Sequence, residues 1–366
     1  MARLLNRLRN WIGFGGGREQ TPRTLQRGPV THVIILDGTM SSLDEGHETN
    51  AGRLYKMLCS LPAQVRPNLR YASGVQWRSW RNTRDVLEGR GINRQIRGAY
   101  GFLASRYHTG DKIFLFGYSR GAFAVRSLAG VIDRVGLLKP EHATVRNIRT
   151  AYRLYQGPRH SRAIEEFQAA YCRTEVDIQM VGVWDTVKAL GMRLPFLWRL
   201  TEPKHAFHNH KLGRAVKHGY HALALDENRS AFAPVLWSCP PDWHGDVEQM
   251  WFRGTHGDIG GQLSGFEAAR PLANIPLVWM LEKAEAVGLT MPEGWRATID
   301  CDPDAPSVGS TRGWGMLFVA RSTRVIGRDI SERVHETVPE DHKLALELRQ
   351  AAKPEIKPEQ TSQIEA

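Results

Sequence analysis

The chain has 366 residues, of which 42% are hydrophobic and 24% are charged, a balance typical of a globular protein with one large domain or two smaller ones. No apolar run is long enough for a transmembrane helix, and the four cysteines form no CxxC pair, which argues against a membrane-spanning protein, a zinc site and a disulfide framework. The formal net charge of +11 favours anionic partners, namely a phospholipid surface, an anionic substrate or nucleic acid, although a basic enzyme with solvated arginines would carry the same charge.

Residues 1–29 predict a basic amphipathic segment followed by a linker. Within residues 1–12 the apolar side chains share one helical face, which comprises Leu4, Leu5, Leu8, Trp11 and Ile12. Such a helix suits an anionic membrane surface, and docking on the domain or fraying are the open alternatives. Arginines interrupt its apolar runs, so we expect no secretory signal peptide. Residues 13–29 are rich in glycine and arginine and predict the linker.

Apolar runs and helical periodicities alternate along residues 30–352 and predict one α/β domain. Strands are predicted at Val33–Leu36, Leu69–Val75, Ile113–Phe116, Val176–Trp184, Pro234–Trp237 and Glu248–Phe252. Helices are predicted at Asn50–Leu61, Asn93–Tyr107, Ala122–Leu128, Asn147–Tyr171, Val216–Leu225, Leu272–Val287 and His342–Ala352. Residues Leu128–Leu138 continue the helix that begins at Ala122 or pair with it. The alternation predicts an α/β-hydrolase-like fold with a mostly parallel, doubly wound sheet flanked by helices. We expect insertions at about 140–175 and 190–220 and a disordered tail at 353–366.

The stretch Gly117-Tyr-Ser-Arg-Gly121 follows a predicted strand and precedes a run of good helix formers. Gly-x-Ser-x-Gly in this context is the nucleophile-elbow pattern, in which a tight turn lifts a serine hydroxyl above the end of a sheet. Ser119 is therefore the candidate nucleophile. A structural strand-to-helix turn with an inert serine is the alternative.

A serine nucleophile needs a base and a group that orients the base, and in α/β-hydrolases the acid and then the histidine follow the serine along the chain. Asp185 is the preferred acid because it comes directly after a predicted strand, and Asp226 and Asp258 are its rivals. His256 is the preferred base because it lies in a Gly-rich loop after a late strand, and His221 is the alternative.

Backbone N–H groups near the nucleophile are the candidates for an oxyanion hole. Asp37-Gly38-Thr39 follows the first strand, at the sheet edge where ligands bind in open α/β sheets. We expect the hole to combine an N–H of Gly38 or Thr39 with the N–H of Arg120. The apolar stretch at residues 190–200, broken by glycine and proline, predicts a lid or acyl-binding wall, with a buried core connection as the alternative.

No cofactor or metal ion is expected. His205, His208, His210 and Asp226 could be assembled into a metal site, but the chain has no HExxH motif or comparable ligand spacing. A P-loop is also absent from the sequence.

Five motifs occur in the order Leu36-Asp-Gly-Thr39, Gly117-Tyr-Ser-Arg-Gly-Ala-Phe123, Val181-Gly-Val-Trp-Asp-Thr-Val187, His221-Ala-Leu-Ala-Leu-Asp-Glu227 and Trp251-Phe-Arg-Gly-Thr-His-Gly-Asp-Ile-Gly-Gly261. In these motifs the region Thr31–Leu289 resembles the catalytic-domain family of the first class of type VI secretion phospholipase effectors, which also includes uncharacterised α/β-hydrolase domains of bacteria and fungi. The resemblance implies a triad of Ser119, Asp185 and His256, and lipid-ester hydrolysis for the effector members.

We therefore expect a serine esterase or phospholipase that cleaves carboxylic esters, foremost phospholipid acyl esters, through an acyl-enzyme. A non-catalytic, basic membrane-binding module on a hydrolase scaffold is the alternative. Nucleic acid is not an expected partner because no recognition motif accompanies the positive charge. We expect a cytoplasmic or peripheral membrane location, with export by a dedicated secretion system as the alternative. The sequence identifies neither a secretion or immunity partner nor the acyl and head-group specificity.

Overall fold

The computed structural model contains one sheet of seven strands. It describes residues 27–74, 90–158, 161–187, 212–239, 246–312 and 320–351. The strands are β1 (Thr31–Leu36), β2 (Asn68–Ala72), β3 (Lys112–Tyr118), β4 (Ile178–Trp184), β5 (Val216–Ala224), β6 (Asp246–Phe252) and β7 (Glu332–Val334). Their order across the sheet is β2-β1-β3-β4-β5-β6-β7, and each neighbouring pair is parallel. The predicted α/β-hydrolase-like class is confirmed.

Helices cover both faces of the sheet. They are α1 (Asn50–Cys59), α2 (Arg90–Ala104), α3 (Arg120–Val135), α4 (Val145–Gln156), α5 (Arg162–Tyr171), α6 (His256–Gly260), α7 (Arg270–Ala286) and α8 (Lys343–Ala351). Helices α2 to α5 share a core with Ile34 and Leu36, whereas α1 and α7 share the opposite core with Val33 and Ile35. Successive residues of β1 thus enter opposite cores, which explains why this strand is apolar throughout.

The chain reverses its direction across the sheet between β1 and β3. From β1 it moves outward to β2, then crosses back to β3 on the other side of β1 and continues through β4 to β7. The helix that follows β1 and the helix that follows β3 lie on opposite faces, so a crevice opens at the carboxyl ends of these two strands. Such a switch point is the usual ligand site of open α/β sheets.

Three predicted elements differ from the structure. Val216–Leu225, predicted as a helix, contains β5, a central strand that pairs with β4 on one side and β6 on the other and is buried from Gly219 to Ala224. Pro234–Trp237, predicted as a strand, forms only an isolated bridge, and its proline lacks the N–H that a central strand needs. The predicted helix Asn147–Tyr171 is divided into α4 and α5, which are separated by a break that begins at Gly157–Pro158.

Several expectations concern residues that the structure does not describe. The amphipathic segment at 1–12, the stretch at 190–200 and the tail at 353–366 lie outside the described residues, as does most of the insertion expected at 190–220. The insertion expected at 140–175 coincides with α4 and α5, which connect α3 to β4. None of the helices within the described ranges combines the length and the apolar character needed to cross a bilayer.

Helix α1 reaches the core through Leu54, which is fully buried. We expect Leu54→Ala to lower the free energy of unfolding by about 2–5 kcal/mol, because the substitution removes buried methyl groups and leaves a cavity. Urea denaturation followed by circular dichroism measures this loss. The matched control is Leu346→Ala at a position that is 40% exposed on α8, where we expect a change below about 1 kcal/mol. Equal losses at the two positions would contradict the burial of α1.

Candidate active site

The turn between β3 and α3 places Ser119 at the switch point. Ser119 has φ 57° and ψ −119°, a backbone conformation that is costly for a residue with a side chain and is typical of functional turns. Its N–H donates to the carbonyl of Trp184 at 3.0 Å, which ties the turn to the end of β4. The flanking glycines are required because an added Cβ would lie 2.6 Å from the Gly121 carbonyl at Gly117 and 1.9 Å from the Leu36 carbonyl at Gly121.

Ser119, His256 and Asp185 form a continuous hydrogen-bonded chain. The Ser119 Oγ lies 2.9 Å from the His256 Nε2, and the His256 Nδ1 lies 2.6 Å from the Asp185 Oδ2. All three residues are buried. Ser119 and His256 are 137 residues apart in the sequence, and Asp185 and His256 are 71 residues apart, so only the folded sheet brings the three together.

Each of these side chains stands at the carboxyl end of a parallel strand. Asp185 comes directly after β4, with φ 39°, and its N–H donates to the Ala222 carbonyl at 2.8 Å. His256 follows β6, where sequence analysis expected a loop, and is the first residue of the short helix α6. A capping box between Thr255 and Asp258 closes the N-terminus of this helix, so the backbone of His256 is held firmly.

Asp185 is a fully buried carboxylate whose charge is balanced by an arginine. Arg324 donates from Nη1 to Oδ1 at 2.5 Å and from Nη2 to Oδ2 at 2.8 Å, and the Ala224 N–H donates to Oδ1 at 3.1 Å. Burial alone would raise the pKa of Asp185, but the guanidinium and the hydrogen bond to His256 hold it well below its usual range.

The ionised state of Asp185 determines the tautomer of His256. An ionised carboxylate only accepts hydrogen bonds, so the His256 Nδ1 must carry the proton that lies between them. In the neutral imidazole the Nε2 then has a free lone pair, and the Ser119 hydroxyl donates to it. The arrangement can therefore take the hydroxyl proton when the Ser119 oxygen attacks an electrophile.

A second buried ion pair holds the backbone of His256. The Glu227 Oε2 accepts the His256 N–H at 3.1 Å, and Arg229 donates to both oxygens of Glu227 at 2.8 Å and 2.5 Å. Burial opposes ionisation of Glu227, but the Arg229 guanidinium lowers its pKa below the ordinary value. The His256 ring also packs against the rings of Tyr118 and Phe232, with centroids 4.9 Å and 4.6 Å away.

The rival candidates from the sequence occupy other places. Asp258 accepts from the Val308 N–H at 2.8 Å as well as from Thr255, so it braces the loop around α6. Asp226 accepts from the Gly254 N–H at 2.6 Å and lies 2.8 Å from a ring nitrogen of His342. The Nε2 of His221 accepts the N–H of Thr186, the residue after Asp185, at 3.1 Å. None of these residues contacts Ser119 in the described part of the chain.

Of the three N–H groups expected to form the oxyanion hole, one is already hydrogen-bonded and two remain candidates. The Gly38 N–H donates to the Oδ1 of Asp37 at 2.6 Å, so this donor is already satisfied. The N–H of Arg120, at the first position of α3, has no partner within its own helix because the first turn of a helix leaves such groups unbonded. The geometry thus favours Thr39 and Arg120 over Gly38.

Asp37 fixes the turn that carries Thr39. Besides the Gly38 N–H, its carboxylate accepts from the hydroxyls of Thr49 at 2.6 Å and Tyr71 at 2.7 Å. Burial raises the pKa of Asp37 above its ordinary value, and these hydrogen bonds partly offset the rise. Gly74 packs on the same turn, where an added Cβ would lie 1.9 Å from the Gly38 carbonyl oxygen.

Among the described residues, no group of three or more histidine, cysteine, aspartate or glutamate side chains is arranged to hold a metal ion. His205, His208 and His210, which the sequence analysis considered for such a site, lie outside the described residues.

Comparison with known proteins identifies the family. The family model described as "T6SS, Phospholipase effector Tle1-like, catalytic domain" matches residues 31–283. The chain belongs to this family. Asp185, His256 and Ser119 all lie within the Tle1-like region, whereas Arg324 lies beyond it.

Individual relatives of this Tle1-like chain are distant. An uncharacterized protein of Saccharomyces cerevisiae, YEL023C, is 27% identical over 255 residues, which cover 63% of this chain and 36% of the yeast protein. The solved structure of the Tle1 effector bound to the VgrG spike of the type VI secretion system is 19% identical, with a TM-score of 0.37 over 64% of this chain and 51% of that chain. The solved structure of an uncharacterized protein from Pseudomonas aeruginosa is 15% identical, with a TM-score of 0.38, and the match covers 75% of this chain and 49% of that chain. The chain thus spans about a third to a half of these relatives.

Sequence reasoning missed the residues that hold the site in place. Arg324 lies in an irregular region with no motif, and no local signal pairs it with Asp185. Glu227 stands next to the rival Asp226 in a noted motif, but only the fold aims its carboxylate at the His256 N–H. Asp37 was noted only as part of a turn, and the hydroxyls of Thr49 and Tyr71 reach its carboxylate only in the folded chain.

The buried His221 makes stability depend on pH. Burial and the nearby Arg126 guanidinium lower its pKa from 6.5 to about 3, so the folded protein keeps it neutral while the unfolded chain takes up a proton below pH 6.5. We expect this group to reduce the free energy of unfolding by about 1.4 kcal/mol per pH unit between about pH 6 and 4. His221→Gln keeps an acceptor for the Thr186 N–H and should remove this slope.

Urea denaturation at pH 7, 6, 5 and 4 measures the difference between His221→Gln and the unsubstituted protein. The control is His47→Gln at an exposed position, which should retain the full slope. Parallel stability curves for the His221 variant and the unsubstituted protein would contradict the neutral, buried state of His221.

Proposed function

We propose that the protein is a serine hydrolase that cleaves carboxylic esters, with phospholipid acyl esters as its substrate class. The observation that carries the proposal is the unbroken chain from the Ser119 Oγ through the His256 imidazole to the Asp185 carboxylate, with separations of 2.9 Å and 2.6 Å. A strained serine, a neutral imidazole and an ionised acid in this order are the requirements for nucleophilic acyl transfer.

In the first half-reaction the Ser119 Oγ attacks the ester carbonyl carbon while the His256 Nε2 takes the hydroxyl proton. The carbonyl electron pair moves to the oxygen, and the backbone N–H groups of Thr39 and Arg120 are placed to bind the resulting oxyanion. One such donor typically contributes about 3 kcal/mol to lowering the barrier. Asp185 stabilises the imidazolium, which then gives its proton to the leaving alcohol as the acyl-enzyme forms.

In the second half-reaction water replaces the alcohol. The His256 Nε2 takes a proton from water as the water oxygen attacks the acyl carbon, and a second tetrahedral oxyanion occupies the same donors. The intermediate collapses to the free acid, and Ser119 regains its proton from the imidazolium. The cycle uses only groups of this chain and water.

Three observations support an anionic lipid substrate. The family model is described as a phospholipase effector domain, and the chain carries a formal net charge of +11. The Arg120 side chain, one residue after the nucleophile, has no carboxylate partner among the described residues. Burial lowers its pKa to about 10, so it stays charged at neutral pH and suits a substrate with a phosphate.

We also propose one hydrolase domain over residues 30–352, followed by a disordered tail at 353–366. A basic amphipathic segment and a linker precede it at 1–29, and residues 1–12 of this segment would bind an anionic membrane surface. The description of the family as a T6SS phospholipase effector domain supports export by a type VI secretion system, and an assembly with a spike protein would test it.

The first test replaces the nucleophile. We expect Ser119→Ala to reduce hydrolysis of p-nitrophenyl esters and of mixed phospholipid vesicles by at least about 10⁴-fold, because the acyl-enzyme can no longer form. Mass spectrometry of the products would also identify which acyl bond is cleaved. Ser105→Ala, a matched change at an exposed serine, should leave turnover unchanged. Vesicle binding by the unsubstituted protein without hydrolysis of any ester would favour the non-catalytic membrane module instead.

The second test displaces the oxyanion turn. Gly74→Ala adds a methyl group that would lie 1.9 Å from the Gly38 carbonyl oxygen and 2.6 Å from the Thr39 nitrogen, so the turn must shift. We expect kcat to fall by about 10²–10³-fold, the effect of losing one oxyanion donor. Gly28→Ala, where an added Cβ meets nothing within 4 Å, is the matched control. Unchanged kcat in the folded Gly74 variant would exclude this turn from the oxyanion hole.

A further inference from the structure

We propose that Arg324 is a positioning residue of the active site, which orients the Asp185 carboxylate toward the His256 ring. The proposal rests on the serine hydrolase function proposed above. Arg324 lies outside residues 31–283, the part of the chain that the family model matches, so the site would be completed by a segment beyond that region.

The hydrogen bonds of Asp185 fix the orientation of its carboxylate plane. The side chains of Arg324 and Asp185 are 2% and 0% exposed, and the two guanidinium nitrogens each donate to a different carboxylate oxygen. A carboxylate offers about four acceptor positions, and Arg324, Ala224 and His256 together fill them. Because the planar fork of arginine fits the carboxylate in one orientation, the Oδ2 is aimed at the His256 Nδ1.

The segment that carries Arg324 is fastened to the loop that holds His256. The Ser230 N–H donates to the Ala320 carbonyl at 3.0 Å, and the Ser322 N–H donates to the Asn228 carbonyl at 2.7 Å. The Arg324 Nη2 also donates to the carbonyl of Phe232 at 2.9 Å. Residues 228–232 directly follow Glu227, whose carboxylate accepts the His256 N–H. The same loop therefore contacts both the backbone of His256 and the segment that carries Arg324.

Arg324 also offsets the charge of the Asp185 carboxylate. Because that carboxylate is the group that stabilises an imidazolium during proton transfer, the pH dependence of turnover is a readout of the Arg324 charge. The other charged or titratable groups around His256 are Tyr118 from β3, Glu227 and its partner Arg229 after β5, and Asp258 on α6. Asp37 after β1 lies near Tyr118. They remain in place when Arg324 alone is replaced, so the change in pH dependence reports on Arg324.

The experiment compares Arg324→Met and Arg324→Lys with the unsubstituted protein, using p-nitrophenyl butyrate as the probe ester. For Arg324→Met we expect kcat to fall by about 100-fold, while KM stays within about threefold of the unsubstituted value. The substitution misplaces the Asp185 carboxylate but leaves the ester pocket unchanged. The acidic limb of the kcat/KM profile should move to higher pH, since an unneutralised carboxylate raises the proton affinity of His256.

Arg324→Lys keeps the charge but loses the fork. We expect its acidic limb to return close to the original position, while its kcat stays about tenfold low because one ammonium group cannot fix the carboxylate plane. Arg328→Met is the matched control, an exposed arginine of the same segment, and it should change neither kcat nor the profile. Circular dichroism and thermal unfolding establish that each variant is folded.

The outcomes separate this inference from the proposed function. If Ser119→Ala abolishes turnover but Arg324→Met keeps kcat within twofold and the same acidic limb, Arg324 is not a positioning residue and the hydrolase assignment stands. If Ser119→Ala retains turnover, the hydrolase assignment and this inference both fall. If the Met variant does not fold, the Lys variant decides alone, and a kcat within twofold of the unsubstituted protein overturns the inference.

Discussion

The buried charge of Asp185 is the constraint on which the rest of the site depends. A carboxylate with no exposure to water is tolerated only when every lone pair has a partner and the charge is neutralised. Its partners come from three separate parts of the chain, namely the end of β5, the start of α6 and the segment around Arg324. Satisfying this one group therefore fixes the relative positions of the strand ends, His256 and the segment around Arg324.

The parallel sheet explains why polar groups converge at one edge. All strands present their carboxyl ends there, and the switch point between β1 and β3 opens the crevice in which Ser119 stands. Close backbone approaches then set the distances, since Gly121 packs on the carbonyl of Leu36 and Gly74 on the carbonyl of Gly38. The positions of Ser119 and of the Gly38–Thr39 turn thus depend on contacts between main chains, which side-chain changes elsewhere disturb little.

Local patterns in the sequence were enough to predict the strand–turn–helix around Ser119 and the strand ends that carry Asp185 and His256, because each depends on a few consecutive residues. Predictions failed where the deciding contact is distant. Residues Val216–Leu225 contain a strand because β4 and β6 form hydrogen bonds with it on its two sides. Apolar content alone does not distinguish a buried strand from a helix. The pairing of Arg324 with Asp185 spans 139 residues and has no local signal.

That long separation has a consequence for the order in which the protein folds. During synthesis the end of β4 emerges well before Arg324, and contacts between distant residues form late because a long loop must close first. Until the later segment arrives, burying the Asp185 carboxylate would leave an uncompensated charge, which opposes closure of the sheet at that point. The site around Ser119 would therefore assemble as one of the last events of folding, so a partly synthesised chain would lack the complete arrangement of Ser119, His256 and Asp185.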